Sequence, residues 1–454
     1  MPAVKIDSFS GIMPRVHPTL LPDSCAVKAH NCRLKSGKLS PLRQPLKAVG
    51  KKVRLENGPT KIADAQSLFL WRRGASVEEF LAWPGIVKVA QGNIADDAFD
   101  RIFVSGSTGI GGTGKNHPCV YIASASGLSF NRHSIYKASL AAPTVTPAQG
   151  VPTDADNIRY TVFFQTWVDE YGYESGVSLP SAEIQYSDGD EVTIAAVNAP
   201  DGGELRRIYK VVTGSTTDRI QFIAEQEVAG SGFIELTLNI KDEDAGEVLS
   251  QLESPPEDLT WMSYVPGNFY AGVSTAKHRT VMFSDVNRPT SWPTAYRYDI
   301  RDDIMGIAVS GNTVFALTNG YPWSITGTAP ESMSVSSLSS PQSCVSSRSI
   351  CVMAGSVFYA SNDGICMLRP GEDVIVLTEK YFSKREWELL NPSTCIMDTY
   401  DGALYCWFTL TTGVRQGYII ALGEGVSAIT THNEQAKAVM YDAQTDSLYY
   451  VREV

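Results

Sequence analysis

Between Tyr264 and Pro330 the chain alternates short apolar runs with clusters of Gly, Pro, Asn and Asp. Arg279-Thr-Val-Met-Phe-Ser-Asp, Ile304-Met-Gly-Ile-Ala-Val309, Asn312-Thr-Val-Phe-Ala-Leu317 and Gly320-Tyr-Pro-Trp-Ser-Ile-Thr-Gly327 follow one another at intervals of about ten residues. Each run is too short for a helix and is closed by turn-forming residues. The pattern predicts antiparallel strands joined by tight turns.

The same spacing recurs on either side. Ser67–Trp71, Glu79–Ala82, Val87–Ala90, Arg101–Ser105 and Val120–Ala123 read as one meander. After the central stretch come Ser343–Met353, Val357–Ala360, Gly364–Leu368, Asp373–Leu377, Ala403–Leu410, Arg415–Ile420, Ala436–Tyr441 and Ser447–Val451. One helix is predicted at Ser383–Leu390, where Ser383 caps, Glu386 completes a capping box and Asn391-Pro392 stops the chain. Ala26–Arg33, after Asp23 and Ser24, reads as a helical turn, and Ser36-Gly-Lys as a hairpin.

A Pro-rich polar linker, Ala141-Ala-Pro-Thr-Val-Thr-Pro-Ala-Gln-Gly-Val-Pro-Thr, separates the first meander from a stretch of different character. Asn157–Val168 alternates strongly, and Glu191-Val-Thr-Ile-Ala, Leu205-Arg-Arg-Ile-Tyr-Lys-Val-Val, Ile220–Glu225 and Phe233–Ile240 follow. That density of strands predicts an immunoglobulin-like β-sandwich without an intersheet disulfide. It resembles a fibronectin type III module with a Tyr-Gly-x-Glu-Ser turn and an Arg-Arg-Ile-Tyr-Lys strand. Pro255-Pro256 ends it. The expected organisation is therefore 1–145, a first β-meander part; 150–255, the inserted sandwich; and 256–454, the second meander part.

Composition narrows the function classes. No apolar run approaches the ~18 residues of a membrane span, and the first residues lack the apolar core of a signal peptide. The eight cysteines form no Cys-x-x-Cys pair and read as reduced, small core residues. No metal site and no cofactor are expected. The net charge of -11 argues against a tight nucleic-acid binder. It allows contact with DNA that passes without sticking, because an acidic wall repels phosphate. The N-terminal basic residues Lys28, Arg33, Lys35, Lys38 and Arg43 are read as a solvated hairpin, with an intersubunit or DNA-facing contact as the alternative.

Gly109 to Lys115 fits G-x-x-x-x-G-K, and Gly109, Gly111 and Gly114 fit G-x-G-x-x-G. A phosphate cradle needs a helix to begin directly after the loop. Here Lys115 is followed by Asn116, His117-Pro118 and a β-branched run, so the expected reading is an exposed hairpin tip, or a loop facing a lumen. The six histidines show no triad or metal spacing, and the pairs Asp96-Asp97 and Asp302-Asp303 read as turn carboxylates. An enzyme is not expected. A glycan-binding propeller module is a rival reading, with Trp292, Trp323 and Trp407 as stacking platforms.

Four groups of residues carry a family resemblance. Arg288-Pro-x-x-Trp292-Pro293 with Tyr296, Gly320-x-Pro322-Trp323-x-Ile-Thr-Gly327, Ser343-Cys-Val-Ser-Ser-Arg348-Ser and Ala360-Ser-Asn-Asp-Gly364-Ile stand in that order. The opening segment adds Phe9-Ser-Gly, Pro14, Leu21-Pro-Asp, Asn31, Arg33 and Gly37-x-Leu39. Together they resemble the tail nozzle (tail tubular B-type) proteins of short-tailed bacteriophages. The resemblance implies an all-β fold: a split β-propeller with an inserted fibronectin type III-like sandwich, closed by its N-terminal segment. It implies a virion structural protein, assembled in the host bacterial cytoplasm. It forms a homohexameric nozzle or tail-tube ring beneath the portal and adaptor proteins, holding back packaged double-stranded DNA and conducting it during ejection at the bacterial envelope. A hub or adaptor docking tail fibres or spikes is the related alternative. This chain is shorter than many nozzles, so peripheral docking or tip regions are expected to be reduced. Phe9, Asn31, Arg33, Arg288, Trp292, Pro293, Pro322, Trp323 and Arg348 are the expected packing and assembly residues.

Overall fold

The computed structural model describes residues 8–452 apart from 36, 59–60, 75, 93, 95–96, 112–113, 125, 214–217 and 250–251. The chain is all-β and divides into two compact units. The first takes Glu257–Val286 and Arg297–Val454 together with the residues up to His133; the second takes Ser134–Pro256 and Asn287–Tyr296.

The first unit is a ring of seven small sheets, or blades. Blade 1 holds Ser67–Arg73 and Val77–Trp83, with Lys52–Leu55 pairing parallel on the outside. Blade 2 runs Val87–Gln91, Ile102–Gly106, Cys119–Ala123 and Phe130–Ser134. Blade 3 runs Leu259–Val265, Phe269–Ser274, Thr280–Phe283 and Arg297–Asp299; blade 4, Ile304–Ser310, Thr313–Thr318, Trp323–Thr326 and Ser334–Ser337. Blade 5 runs Cys351–Met353, Ser356–Ala360, Ile365–Leu368 and Ile375–Val376; blade 6, Ile396–Tyr400, Ala403–Thr409, Arg415–Leu422 and Val426–His432. Blade 7 is the hairpin of Ala436–Asp442 and Ser447–Arg452. The first strand of each blade touches the first strand of the next, and that of blade 7 touches that of blade 1. A closed cycle of antiparallel meanders about an axis is a β-propeller.

The sequence pattern explains the packing. Each middle strand has a neighbouring blade on both faces, so it reads as a continuous buried run: Phe269–Ser274, Thr313–Thr318 and Ser356–Ala360 are buried throughout. Period-two alternation then sends successive side chains to opposite neighbours. Val357 and Tyr359 pack with Phe315 and Leu317 of blade 4, while Phe358 and Ala360 pack with Met397 and Leu404 of blade 6. Trp71, Leu81 and Trp83 of blade 1 meet Val104, Cys119 and Tyr121 of blade 2 in the same way. Six cysteines are buried and all eight are free; burial pushes the Cys344 and Cys366 thiols up to about 12, as for small apolar packing residues.

The N-terminal segment wraps the outside of the ring. Gly11–Ile12 pairs parallel with Val426–His432 of blade 6, and Cys25–Ala26 pairs beyond it. The predicted helical turn at Ala26–Arg33 is absent. Asn31 N donates to Thr431 O (2.8 Å) and Thr431 N to Ala29 O (2.9 Å), so a tertiary sheet edge takes the backbone groups a helix would have used. Cys32–Lys35 then pairs with Lys38–Pro41 as a hairpin; Ser36 at its tip lies outside the described residues. Ser343–Met353 is likewise shorter as a strand than its sequence suggests: Ser347–Ser349 is a 3-10 turn before Cys351. The helix is Lys384–Leu389, with the Ser383/Glu386 capping box formed, and it buries Trp387.

The second unit is a β-sandwich. Val145–Pro147, Glu191–Ile194 and Leu236–Asn239 make one sheet. The facing layer holds two ladders, Arg159–Thr161 with Ile184–Tyr186 and Phe163–Asp169 with Gly203–Thr213 and Asp218–Glu227, joined where the chain runs on through Val162. The chain makes a hairpin in one sheet, crosses to the other, and returns for a second hairpin beside the first, which is the Greek-key route of fibronectin-like modules. Phe163, Tyr186 and Ile208 from one sheet meet Val192 and Ile194 from the other. The two sequence signatures meet here: Glu174 of the Tyr-Gly-x-Glu-Ser turn accepts from Tyr209 Oη (2.6 Å) and Arg207 Nη1 (2.9 Å) of the Arg-Arg-Ile-Tyr-Lys strand.

Candidate functional site

Three places in the propeller gather polar chemistry: the axial channel, the Gly109–Lys115 loop, and the outer face of blades 6 and 7.

The channel is bounded by the first strands. A cavity of about 600 Å3 lies against Lys88, Gln91, Tyr264, Val309 and Val352 of blades 2 to 5. Burial holds the Lys88 ammonium below its ordinary pKa, against the pull of Asp398 on blade 6, and burial raises Asp398. Asp398 Oδ2 accepts from Tyr441 N (2.8 Å), tying blade 6 to blade 7. Arg348, from the 3-10 turn before blade 5, donates to Gln66 O (3.1 Å) and to Lys437 O, at the start of blades 1 and 7. Its guanidinium thus links three blades, and desolvation lowers its pKa to about 10.

The loop from Ile102–Gly106 to Cys119–Ala123 runs strand to strand, with no helix after Lys115 to present N–H groups to a phosphate. Gly109, Gly111 and Gly114 all have positive φ. Gly109, Gly111, Gly114 and Lys115 are exposed, and the loop is folded back on itself: Thr108 Oγ1 donates to His117 O (2.7 Å), Gly109 N to Asn116 Oδ1 (3.0 Å), and a Cβ at Gly111 would collide with the His117 ring. Lys115 pairs with Glu257 at 3.2 Å. Gly112 and Thr113 lie outside the described residues. The pair Asp302-Asp303 sits among ion pairs and hydrogen bonds: Asp302 accepts from Trp323 Nε1 (3.3 Å), and Asp303 holds Arg279 (2.5 Å) and His278 (3.1 Å). Asp97 is chelated by Arg101 (2.8 Å); Asp96 lies outside the described residues.

The expected assembly residues fall into separate places. Phe9 N donates to Gly37 O, Asn31 adopts positive φ on the edge of blade 6, and Arg33 pairs with Asp401 while standing over the Tyr400 ring at 5.8 Å. Pro322 O accepts from Leu338 N within blade 4, beside Trp323. Arg288, Trp292 and Pro293 are not blade anchors: they belong to the sandwich unit, where Trp292 is fully buried and Trp292 N donates to Glu253 O (2.6 Å). A sequence motif does not reveal which of two cores a Trp enters. Trp292 and Trp407 are buried, so neither presents an open ring face for a sugar.

On the outer face, Tyr405, Trp407 and Tyr450 line a cavity of about 820 Å3 with residues Leu42 to Lys47, Arg33 and Glu434. Trp407 Nε1 donates to Glu434 O (2.9 Å), and Tyr450 Oη to Glu434 Oε2 (3.0 Å). His432 is buried edge-on to Trp407, its ring filling the space above Gly417, and neither ring nitrogen has a hydrogen-bond partner. Burial, with His30 adding to it, lowers its pKa to about 4. The unfolded imidazole titrates near 6.5, so the unfolded chain binds the extra proton between about pH 6.5 and 4. The contribution is complete above about pH 6.5 and is lost as pH falls towards 4, up to about 3 kcal/mol. The unfolding midpoint of the native chain will therefore fall between about pH 7 and 5, and His432→Asn will flatten that slope; parallel curves for the two proteins would contradict it. No local pattern marks this cavity, because its walls come from residues about 400 positions apart.

No protein-family model matches this chain, and no curated protein matches it. Among solved structures, it is similar to BBS1N in the crystal structure of its complex with ARL6DN. That match has a TM-score of 0.32 and 11% identity over 80% of this chain and 88% of that one. It is also similar to the extracellular domain of the putative one component system BT4673 from B. thetaiotaomicron. There the TM-score is 0.30 and the identity 10%, over 93% of this chain and 59% of that one. Likenesses at this level carry no functional argument.

Proposed function

We propose that the protein is a structural subunit of a short-tailed phage tail, assembling as a nozzle or tail-tube ring that retains and then conducts DNA. The observation that carries this reading is the order of parts. A propeller is interrupted by a fibronectin-like sandwich between blades 2 and 3, and the segment bearing Phe9, Asn31 and Arg33 wraps its outer edge. That order is the one the resemblance implies. The same wrapping segment leaves Leu20, Val27, Leu39, Leu46 and Val49 exposed, apolar surface of the kind that contacts between subunits cover. The conduit in this reading is the space enclosed by several copies.

The test is assembly. Native mass spectrometry and negative-stain imaging of the purified chain, with and without portal and adaptor proteins of a phage that encodes it, will give a closed ring of six copies. A chain that stays monomeric under both conditions, and is missing from purified virions, would overturn the proposal.

A further inference from the structure

Blade 7 is short of strands. The other six blades hold three or more, whereas Ala436–Asp442 and Ser447–Arg452 stand as a bare hairpin. Ala436–Asp442 takes the axial position, in contact with the first strands of blades 6 and 1, so the free edge is that of Ser447–Arg452. Among the described residues, no backbone group of that strand bonds outside the hairpin. An open edge of this kind is a template for another strand.

The neighbouring edges are handled differently. Gly11–Ile12 and Cys25–Ala26 cover the edge of blade 6, and Lys52–Leu55 covers that of blade 1. The connection between them, residues 42–50, passes blade 7 without forming a strand. Between this strap and Ser447–Arg452 lies the 820 Å3 cavity described above, within the roughly 300–1,000 Å3 that bound groups occupy.

We infer that the open edge of Ser447–Arg452 receives an extended, acidic segment of a protein partner as the third strand of blade 7. The backbone groups supply pairing, the cavity beside half-buried Tyr400, Leu448 and Tyr450 receives an apolar side chain, and the strap supplies the charge preference. Residues 8–56 carry ten Lys and Arg against Asp23 and Glu56 alone, in a chain of net charge -11. Arg43 and Lys47 on the cavity rim are exposed. Glu434, the one carboxylate among the cavity's described lining residues, is already engaged by Tyr450 and faces Arg452 at 3.7 Å. A protein strand fits better than a nucleic acid: phosphates would use the cations and leave the strand edge unpaired. The inference stands independently of ring assembly.

The probe is an acetylated, amidated peptide of sequence Glu-Val-Glu-Tyr-Glu-Val-Glu, beside its counterpart with Lys for Glu. Fluorescence anisotropy will show saturable binding of the acidic peptide, at least about tenfold tighter than the basic one and weakened by salt. Hydrogen exchange will show new protection at Ser447–Arg452. The double variant R43E/K47E, at exposed positions outside any strand, will melt as the native chain does and bind the acidic peptide at least about tenfold more weakly. Equal or absent binding of the two peptides, or protection on another blade, would overturn the inference. So would Ser447–Arg452 amides already protected in the free chain, because the strap would then itself be the third strand.

Discussion

A chain lacking residues 1–41 will unfold at a markedly lower temperature, with blade 6 opening first. In the intact protein Ile429 N donates to Ser10 O (3.2 Å), Asn31 N to Thr431 O and Thr431 N to Ala29 O, while Arg33 pairs with Asp401 and buried Leu34 and Ala29 pack beneath. At about 1 kcal/mol net for each hydrogen bond, plus the apolar area lost, the deletion costs on the order of 5 kcal/mol. For a unit of this size that lowers Tm by roughly 5–10 °C. Hydrogen exchange gives the location: amides of Val426–His432 will lose protection while those of Ser356–Ala360 keep theirs. Gly11→Ala is the point-variant version. Gly11 has φ +79°, and a Cβ there would stand well inside contact distance of the Ile429 carbonyl. The expected loss is smaller but in the same place. Unchanged exchange along Val426–His432 in the deletion would show that the N-terminal segment does not hold blade 6.

The second large effect is expected where the ring closes on itself. Blades 7 and 1 are joined by side chains: Arg72 Nη1 donates to Asp442 Oδ1 (2.9 Å) and Nη2 to Oδ2 (2.5 Å), with Leu70 N against Met440 Sδ and the Phe80 and Tyr449 rings 5.0 Å apart. The Arg72 hydrogen bonds, outweighing the cost of burial and helped by Thr445, lower the Asp442 carboxyl to about 2. An unfolded Asp titrates near 3.9. The group's contribution is therefore complete above about pH 4 and is lost as pH falls towards 2. Asp442→Asn will cost about 2–3 kcal/mol at pH 7 and much less near pH 2.5, as read by denaturant unfolding at each pH. An equal cost at both pH values would mean that the seam is held by shape rather than by this charge pair.

Both effects depend on contacts spanning nearly the whole chain, which no local pattern marks. The strands themselves are legible: Ser67–Arg73, Val87–Gln91 and Ile102–Gly106 fall within two residues of their predicted spans, and the Ser383/Glu386 box caps the helix Lys384–Leu389. These are local signals, set by alternation, turn residues and caps. At Ala26–Arg33 the local capping residues favour a helical turn, whereas the edge of blade 6 offers a better set of backbone partners. The Gly109–Lys115 loop shows the same limit. Its glycines and the strand after it mark an exposed hairpin tip, but only the fold placed Gly111 under the His117 ring and Lys115 against Glu257.

By itself, then, the sequence determined an all-β chain, the residues in most strands and the interruption by a sandwich. Each follows from patterns within about ten residues, where periodicity and turn chemistry act. Tertiary structure alone decided the number of blades, the assignment of Trp292 to the sandwich, and the three-blade role of Arg348. It also left the edge of Ser447–Arg452 open beside the N-terminal strap. These depend on which distant surfaces meet when the ring closes, and no local pattern encodes a meeting between residues about 400 positions apart.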